Sequence, residues 1–314
     1  MAIHQALGGR PPGAVRREVL ALKAEFEKRG ESIVFEEGAE LPDAADGDVL
    51  LVHGFAAGSI AALSPSLTGR NLRLALRWHS QGCATAVPAP AAGFELALAD
   101  SEAAAHALRG RGWAKVVAVP TVAGARFLRD LEPPALPELE PGPVIAFTGP
   151  LSEVGGTHLA IQAFHVLTTY HSWEARLALA GQPCLDGYAH ALNRMILELG
   201  LHGVQLMSGL DERDLAAVYR RADVALAIGS SDDYDLQTLE AMSFGVPVVA
   251  CPAARLRGPA LAVRELSPAR VAVALDRVMR DGQLREQLSR RSSDFAAQQA
   301  ETALSTILSE LVRR

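Results

Sequence analysis

Cysteine is scarce in this chain. Cys83, Cys184 and Cys251 are too few and too scattered for a disulfide framework or a structural zinc site. Long basic runs are absent, and the net charge of −6 argues against nucleic acid as the main partner. No apolar stretch reaches the roughly 20 residues of a membrane span. The first residues, MAIHQALGG, lack a basic segment followed by an apolar core, so no signal peptide is expected and the chain reads as cytoplasmic. Low-complexity segments and short tandem repeats are also missing. What remains is a globular composition: 314 residues, 49% of them hydrophobic and rich in alanine, enough for two domains with separate cores.

Short apolar runs alternate with helical patterns along the whole length. Strands are expected at residues 1–7, 32–35, 49–52, 72–78, 96–99 and 116–119. Between the first two, Val15, Val19, Leu20, Leu22 and Phe26 fall largely on one helical face. Ser101 is placed to cap the helix after the fifth strand. Residues 131–143, LEPPALPELEPGP, carry five prolines and read as a stiff hinge, centred on 133–142. The alternation then restarts, with strands at 144–147, 176–180, 204–207, 224–228 and 247–251. Helices are expected at 157–170, 188–199, 211–221 and 236–244, and Ser267-Pro268 opens a helical tail. Such alternation specifies mostly parallel sheets covered on both faces. The expected domains are 1–132, 143–292 and a C-terminal helix over 293–314 that packs back on the first domain.

Residues 224–251, VALAIGSSDDYDLQTLEAMSFGVPVVAC, concentrate the chemistry. A strand, a polar loop, a short helix and a second strand follow one another. Asp235 suits the helix N-cap and Gly245 the position past its end. The backbone N–H groups of Leu236 and Gln237 would then face an anion at the helix N-terminus. Asp232 and Glu240 add two carboxylates. The carboxyl end of a parallel strand is where open α/β sheets bind ligands.

These residues sit within a longer ordered series. It comprises Gly149–Gly156, Ala180-Gly181, Val204 through Gly209, Val218-Tyr219-Arg220-Arg221-Ala222-Asp223 and Ser231 through Ala250. In the first half it continues with the early Gly-rich loop, Val52-His53-Gly54, Leu76-Arg77-Trp78-His79, Ala99-Asp100-Ser101 and Gly112 through Pro120. In that order they closely resemble the retaining GT-B glycosyltransferases of glycosyltransferase family 4. The resemblance implies an α/β chain of GT-B architecture, two doubly wound Rossmann-like domains facing across a cleft. It further implies sugar transfer from a nucleoside-diphosphate sugar with retention at the anomeric carbon.

Carried over position by position, Glu240 corresponds to the glutamate on the ribose hydroxyls, and Asp232 stands where the family has the glutamate near the donor sugar. His79 matches a histidine that approaches that sugar, so His79 and Asp232 are the catalytic candidates. Donor-binding candidates are Glu240, Leu236, Gln237, Gly149, Leu210, Gly8, Gly9 and Arg10. His53 and His158 are weaker candidates. No metal and no cofactor are implied beyond the nucleotide sugar, because helix N-termini and basic groups stabilise the leaving diphosphate. The implied acceptor is a sugar, a lipid-linked glycan or a protein. Peripheral membrane contact, a homo-oligomer and a partner glycosyltransferase are left open.

The chain also departs from that pattern. The family's diphosphate-clamping arginine and lysine correspond to Pro150 and Gly155. A non-catalytic GT-B homologue acting as partner of an active transferase is therefore the alternative reading. A nicotinamide-dependent dehydrogenase is disfavoured, since no G-x-G-x-x-G precedes an acid about 20 residues on.

Overall fold

In the computed structural model the described residues are 3–7, 13–29, 33–37, 45, 48–54, 72–79, 87–90, 93–123, 128–129, 131–136, 139, 142–149, 151–153, 155–181, 186–228, 236–251 and 258–312. They form two compact units, Met1–Phe127 with Gln298–Arg314, and Leu128–Ala297.

The first unit holds β1 (Ile3–Leu7), α1 (Gly13–Lys28), β2 (Ile33–Glu37), β3 (Val49–Gly54), β4 (Arg73–Trp78), β5 (Phe94–Ala99), α2 (Glu102–Gly110) and β6 (Val116–Ala118). All its strand pairings are parallel, in the order β2-β1-β3-β4-β5-β6. The chain moves outward from β1 to β2, then returns to β3 on the other side, so the topological switch lies between β1 and β3. Val15, Val19, Leu22 and Phe26 of α1 are buried, whereas Leu20 is only half-buried. A stripe at i, i+4, i+7 and i+11 turns one helix face to the sheet. Ser101 caps α2 by accepting from the Ala104 amide at 3.2 Å.

The second unit contains β7 (Val144–Thr148), α3 (Thr157–Tyr170), β8 (Arg176–Ala180), α4 (Asp186–Glu198), β9 (Val204–Met207), α5 (Glu212–Arg221), β10 (Val224–Ile228), α6 (Leu236–Ser243), β11 (Val248–Cys251), β12 (Leu261–Ala262) and α7 (Pro268–Arg280). Its sheet is again all parallel, ordered β12-β11-β10-β7-β8-β9, with the switch between β7 and β10. Asp211 caps α5 in a capping box: it accepts from the Arg213 and Asp214 amides, and Asp214 accepts in return from the Asp211 amide. Pro268 occupies the first turn of α7, although the Ser267 side chain makes no capping bond.

Two parts of the expected organisation take a more definite form. In the proline-rich stretch, the carbonyl of Glu132 accepts from Arg213 Nε at 3.0 Å, and the preceding Arg129 carbonyl accepts from Arg220. Both contacts tie this stretch to α5 of the second unit. The tail is one helix, α8 (Gly282–Val312), of 31 residues and about 46 Å at 1.5 Å per residue. No proline or interior glycine interrupts it. Ala303, Leu304, Ile307 and Leu311 on its last turns join Leu22, Phe26, Leu51 and Leu98 in the first unit's core. Among the described residues no helix is long and apolar enough to cross a membrane.

Candidate functional site

Each unit presents unusual chemistry at the carboxyl end of its sheet, at the switch point. In the second unit β7 ends at Gly149, which has φ +131°. The Gly149 amide donates to the Ala180 carbonyl, and Gly181 packs so close that a Cβ there would strike the Gly149 carbonyl. Glycine is required because two backbones meet without room for a side chain. Gly156, left-handed at φ +72°, packs against Ile228 at the end of β10. Between them Gly155 donates its amide to Ser152 Oγ at 3.0 Å. A Cβ added at Gly149 would lie 4.0 Å from Gln237 Cδ. Gly149 and Gln237, two of the donor-binding candidates, thus lie on the same side of the switch point.

The helix α6 carries Leu236, Gln237 and Glu240. It stops at Gly245, φ +76°, where Val246 N–H bonds the Ala241 carbonyl and Gly245 N–H bonds that of Met242. This paired closure satisfies the orphan carbonyls of the last turn. Leu236 is a core side chain, so its candidate contribution rests on its amide alone. Glu240 is 0% exposed, and its Oε2 accepts from the Tyr219 hydroxyl at 2.8 Å. Leu210 is half-buried beside Gly209, φ +74°, between β9 and α5. His158 is engaged with the Tyr188 hydroxyl at 3.2 Å. Asp232, Asp235, Pro150, Gly8, Gly9 and Arg10 lie outside the described residues.

The first unit contains a buried polar chain that runs from the switch point to α1. Gln5 of β1 and His53 of β3 meet with Oε1 2.9 Å from His53 Nε2. His53 Nδ1 lies 3.0 Å from His79 Nε2, and the two rings stack at 5.3 Å between centroids. His79 Nδ1 lies 3.2 Å from Glu18 Oε2. Glu18 Oε1 accepts from Arg77 Nε and Nη2, at 3.2 and 2.7 Å. The remaining Arg77 donors bond the carbonyls of Ala99, Val119 and Pro120, so all five N–H groups are used.

Every member of this chain is buried, which makes its pairing decisive: an unpaired ion at such depth costs several kcal/mol. Arg77 and His79 hold the Glu18 carboxyl far below the usual carboxylate range, against the opposing effect of burial. Burial first, and the neighbouring His79 second, push His53 well below its ordinary value. His79, 3% exposed, has both ring nitrogens engaged inside the unit.

Gln5, Glu18 and Tyr219 were not among the residues singled out from sequence. Glu18 did leave a signal there, since it falls between Val15 and Val19 on the apolar stripe of α1, where a carboxylate demands a buried partner. Gln5 lies among apolar residues of a strand in the same way. Tyr219 stood in the ordered series that carries the resemblance but had no role assigned, because an aromatic residue on an apolar helix face is ordinary core.

Residues 142–281 match the family described as Glycosyl transferases group 1. Two D-inositol 3-phosphate glycosyltransferases, from Corynebacterium urealyticum and Corynebacterium kroppenstedtii, are 31% and 29% identical over 126 and 117 residues. These matches span 39% and 36% of this chain, but only 29% and 26% of the relatives' own length. Among solved structures, the apo structure of OtsA aligns with a TM-score of 0.70 at 13% identity, covering 100% of both chains. A glycosyltransferase from Rickettsia africae gives 0.69 at 12% identity, over 99% of this chain and 97% of its own. An E. coli trehalose-6-phosphate structure bound with UDP-2-fluoro glucose gives 0.68 at 12%, over 99% of each. The chain thus has the fold of the GT-B glycosyltransferases, and over residues 142–281 it is similar to the glycosyl transferases of group 1.

Proposed function

We propose that the chain is a glycosyltransferase that moves a sugar from a nucleoside-diphosphate sugar to an acceptor hydroxyl, with retention of anomeric configuration. The observation that carries this reading is Glu240, a carboxylate fixed on the helix after β10 at the switch point of the donor-type unit. Glu240 accepts from the two ribose hydroxyls. The amides of Leu236 and Gln237 and the backbone around Gly149 receive the diphosphate. In the transfer, the bond from the anomeric carbon to the diphosphate oxygen breaks and its electron pair leaves with the diphosphate. The acceptor oxygen bonds to the same face of that carbon, and its proton passes to the departing diphosphate, the base that the step creates. Asp232 and His79 serve the donor sugar in this reading, without a metal.

Calorimetry with UDP, GDP, ADP and their sugar derivatives tests the proposal. At least one nucleoside diphosphate binds the wild-type chain. Glu240→Gln weakens it about 10- to 100-fold, as expected for loss of charge-assisted hydrogen bonds of about 1.5–3 kcal/mol. A chain that binds none of the panel refutes the reading.

A second reading, a non-catalytic GT-B homologue that partners an active transferase, is favoured by one feature. The loop that carries the family's two cations holds Pro150, Gly155 and an exposed Glu153 here. Removing even one donor to a developing anion costs roughly 3 kcal/mol elsewhere. Sugar transfer by the purified chain alone excludes this second reading.

A further inference from the structure

Glu240 is held from outside its own helix. The Tyr219 hydroxyl on α5 donates to Glu240 Oε2 at 2.8 Å, and both side chains are buried. A carboxylate only accepts, so the direction of this bond is fixed. One helical turn later the Tyr219 ring packs on Phe244, with 5.4 Å between centroids and a 36° tilt. Phe244 in turn lies under the Arg129 guanidinium, 5.7 Å from its centroid. The Arg129 carbonyl accepts from Arg220, the residue after Tyr219. Tyr219 therefore grips α6 at two points, a polar one at Glu240 and an apolar one at Phe244. The polar grip selects one rotamer of a side chain that has three rotatable bonds and a broad terminal torsion.

We infer that Tyr219 is a positioning residue for nucleotide recognition, acting through Glu240 on the ribose diol. The inference rests on the donor-site reading proposed above. Without the phenol oxygen, Glu240 keeps its place on the helix but loses a hydrogen bond that fixes its carboxylate. The ring's packing on Phe244 is untouched by Tyr219→Phe, which separates aim from architecture.

The test is calorimetric. The nucleoside diphosphate that binds best among ADP, GDP and UDP is compared with its 2′,3′-dideoxy form, on wild type, Tyr219→Phe, Glu240→Gln and the double variant. Tyr219→Phe weakens the ribose form about tenfold, the scale of one lost hydrogen bond, and leaves the dideoxy form within about twofold of wild type. The double variant binds the ribose form no more weakly than Glu240→Gln alone, because the two residues act in series. Equal losses for both nucleotides make Tyr219 merely structural and overturn the inference, and so does an unchanged ribose form. If wild type binds nucleotide yet does not distinguish the two forms, the ribose role of Glu240 fails first and the inference falls with it. A wild-type chain that binds no nucleotide refutes the donor-site reading itself.

Discussion

His53 makes the stability of the first unit depend on pH in a window of its own. Its imidazole is fully buried between Gln5 and His79, and burial with the adjacent His79 pushes its pKa well below the ordinary 6.5. The unfolded chain takes up a proton at this ring near pH 6.5, whereas the folded chain does not. Below 6.5 the unfolded state therefore binds more protons, and stability falls as pH falls toward the folded pKa. One proton changes the folding equilibrium by at most tenfold per pH unit, about 1.4 kcal/mol, so pH 6.5 to 5.0 removes up to about 2 kcal/mol.

The other depressed groups act lower. Glu18 loses its contribution only below the ordinary carboxyl value of 4.5, and Asp276 only below 3.8. The assay is urea unfolding at pH 7.5, 6.5, 5.5 and 5.0, followed by the fluorescence of Trp78 and Trp113, both buried in the first unit. His53→Gln cannot titrate. It starts from a lower stability, because at least one buried hydrogen bond is lost at about 1–3 kcal/mol, but its stability declines less steeply between 6.5 and 5.0. Equal slopes in wild type and variant would show that His53 does not titrate on unfolding in this window.

Two further outcomes follow from the backbone. Gly181→Ala places a Cβ against the Gly149 carbonyl, 2.9 Å from its carbon, so it destabilises the second unit by about 3 kcal/mol or more in thermal melts. Gly282→Ala, at the start of α8 with nothing within 4 Å, instead stabilises by roughly 0.4–1 kcal/mol through the unfolded chain. Asp211→Ala removes the acceptor for the Arg213 and Asp214 amides and lowers stability by about 1–2 kcal/mol, read from the midpoint of urea unfolding.

Local signals carried most of the architecture. The strands at 176–180, 204–207 and 224–228 and the helix at 157–170 have the expected limits, because short apolar runs bounded by turn residues and an amphipathic helical period are both local signals. The caps at Ser101 and Asp211 and the glycine closure at Gly245 were legible for the same reason, since each needs only residues within one turn. Pairings across sequence were not legible. Gln5 finds His53 after 48 residues, and Glu18 finds Arg77 after 59. A polar residue in an apolar stripe shows that a partner exists but not which one. The long tail helix escaped in a different way, for residues 282–312 contain no breaker to mark where one unit's part ends and the other's begins.

The two switch points handle buried charge by different means, and the difference bears on what each can do. At the first, Glu18, Arg77 and both histidines satisfy one another, and His79 is engaged at each ring nitrogen. A side chain bound at both nitrogens reaches a ligand by hydrogen bonding only if one of those bonds breaks. At the second, the buried Glu240 accepts a hydrogen bond from a neutral phenol, the Tyr219 hydroxyl, at 2.8 Å. A hydroxyl-rich ligand such as ribose suits that carboxylate, whereas a diphosphate does not. On the proposed reading, recognition through the ribose and stabilisation of the leaving group are separable: the first would rest on Glu240 and Tyr219, the second on what stands in for a cation at Pro150 and Gly155.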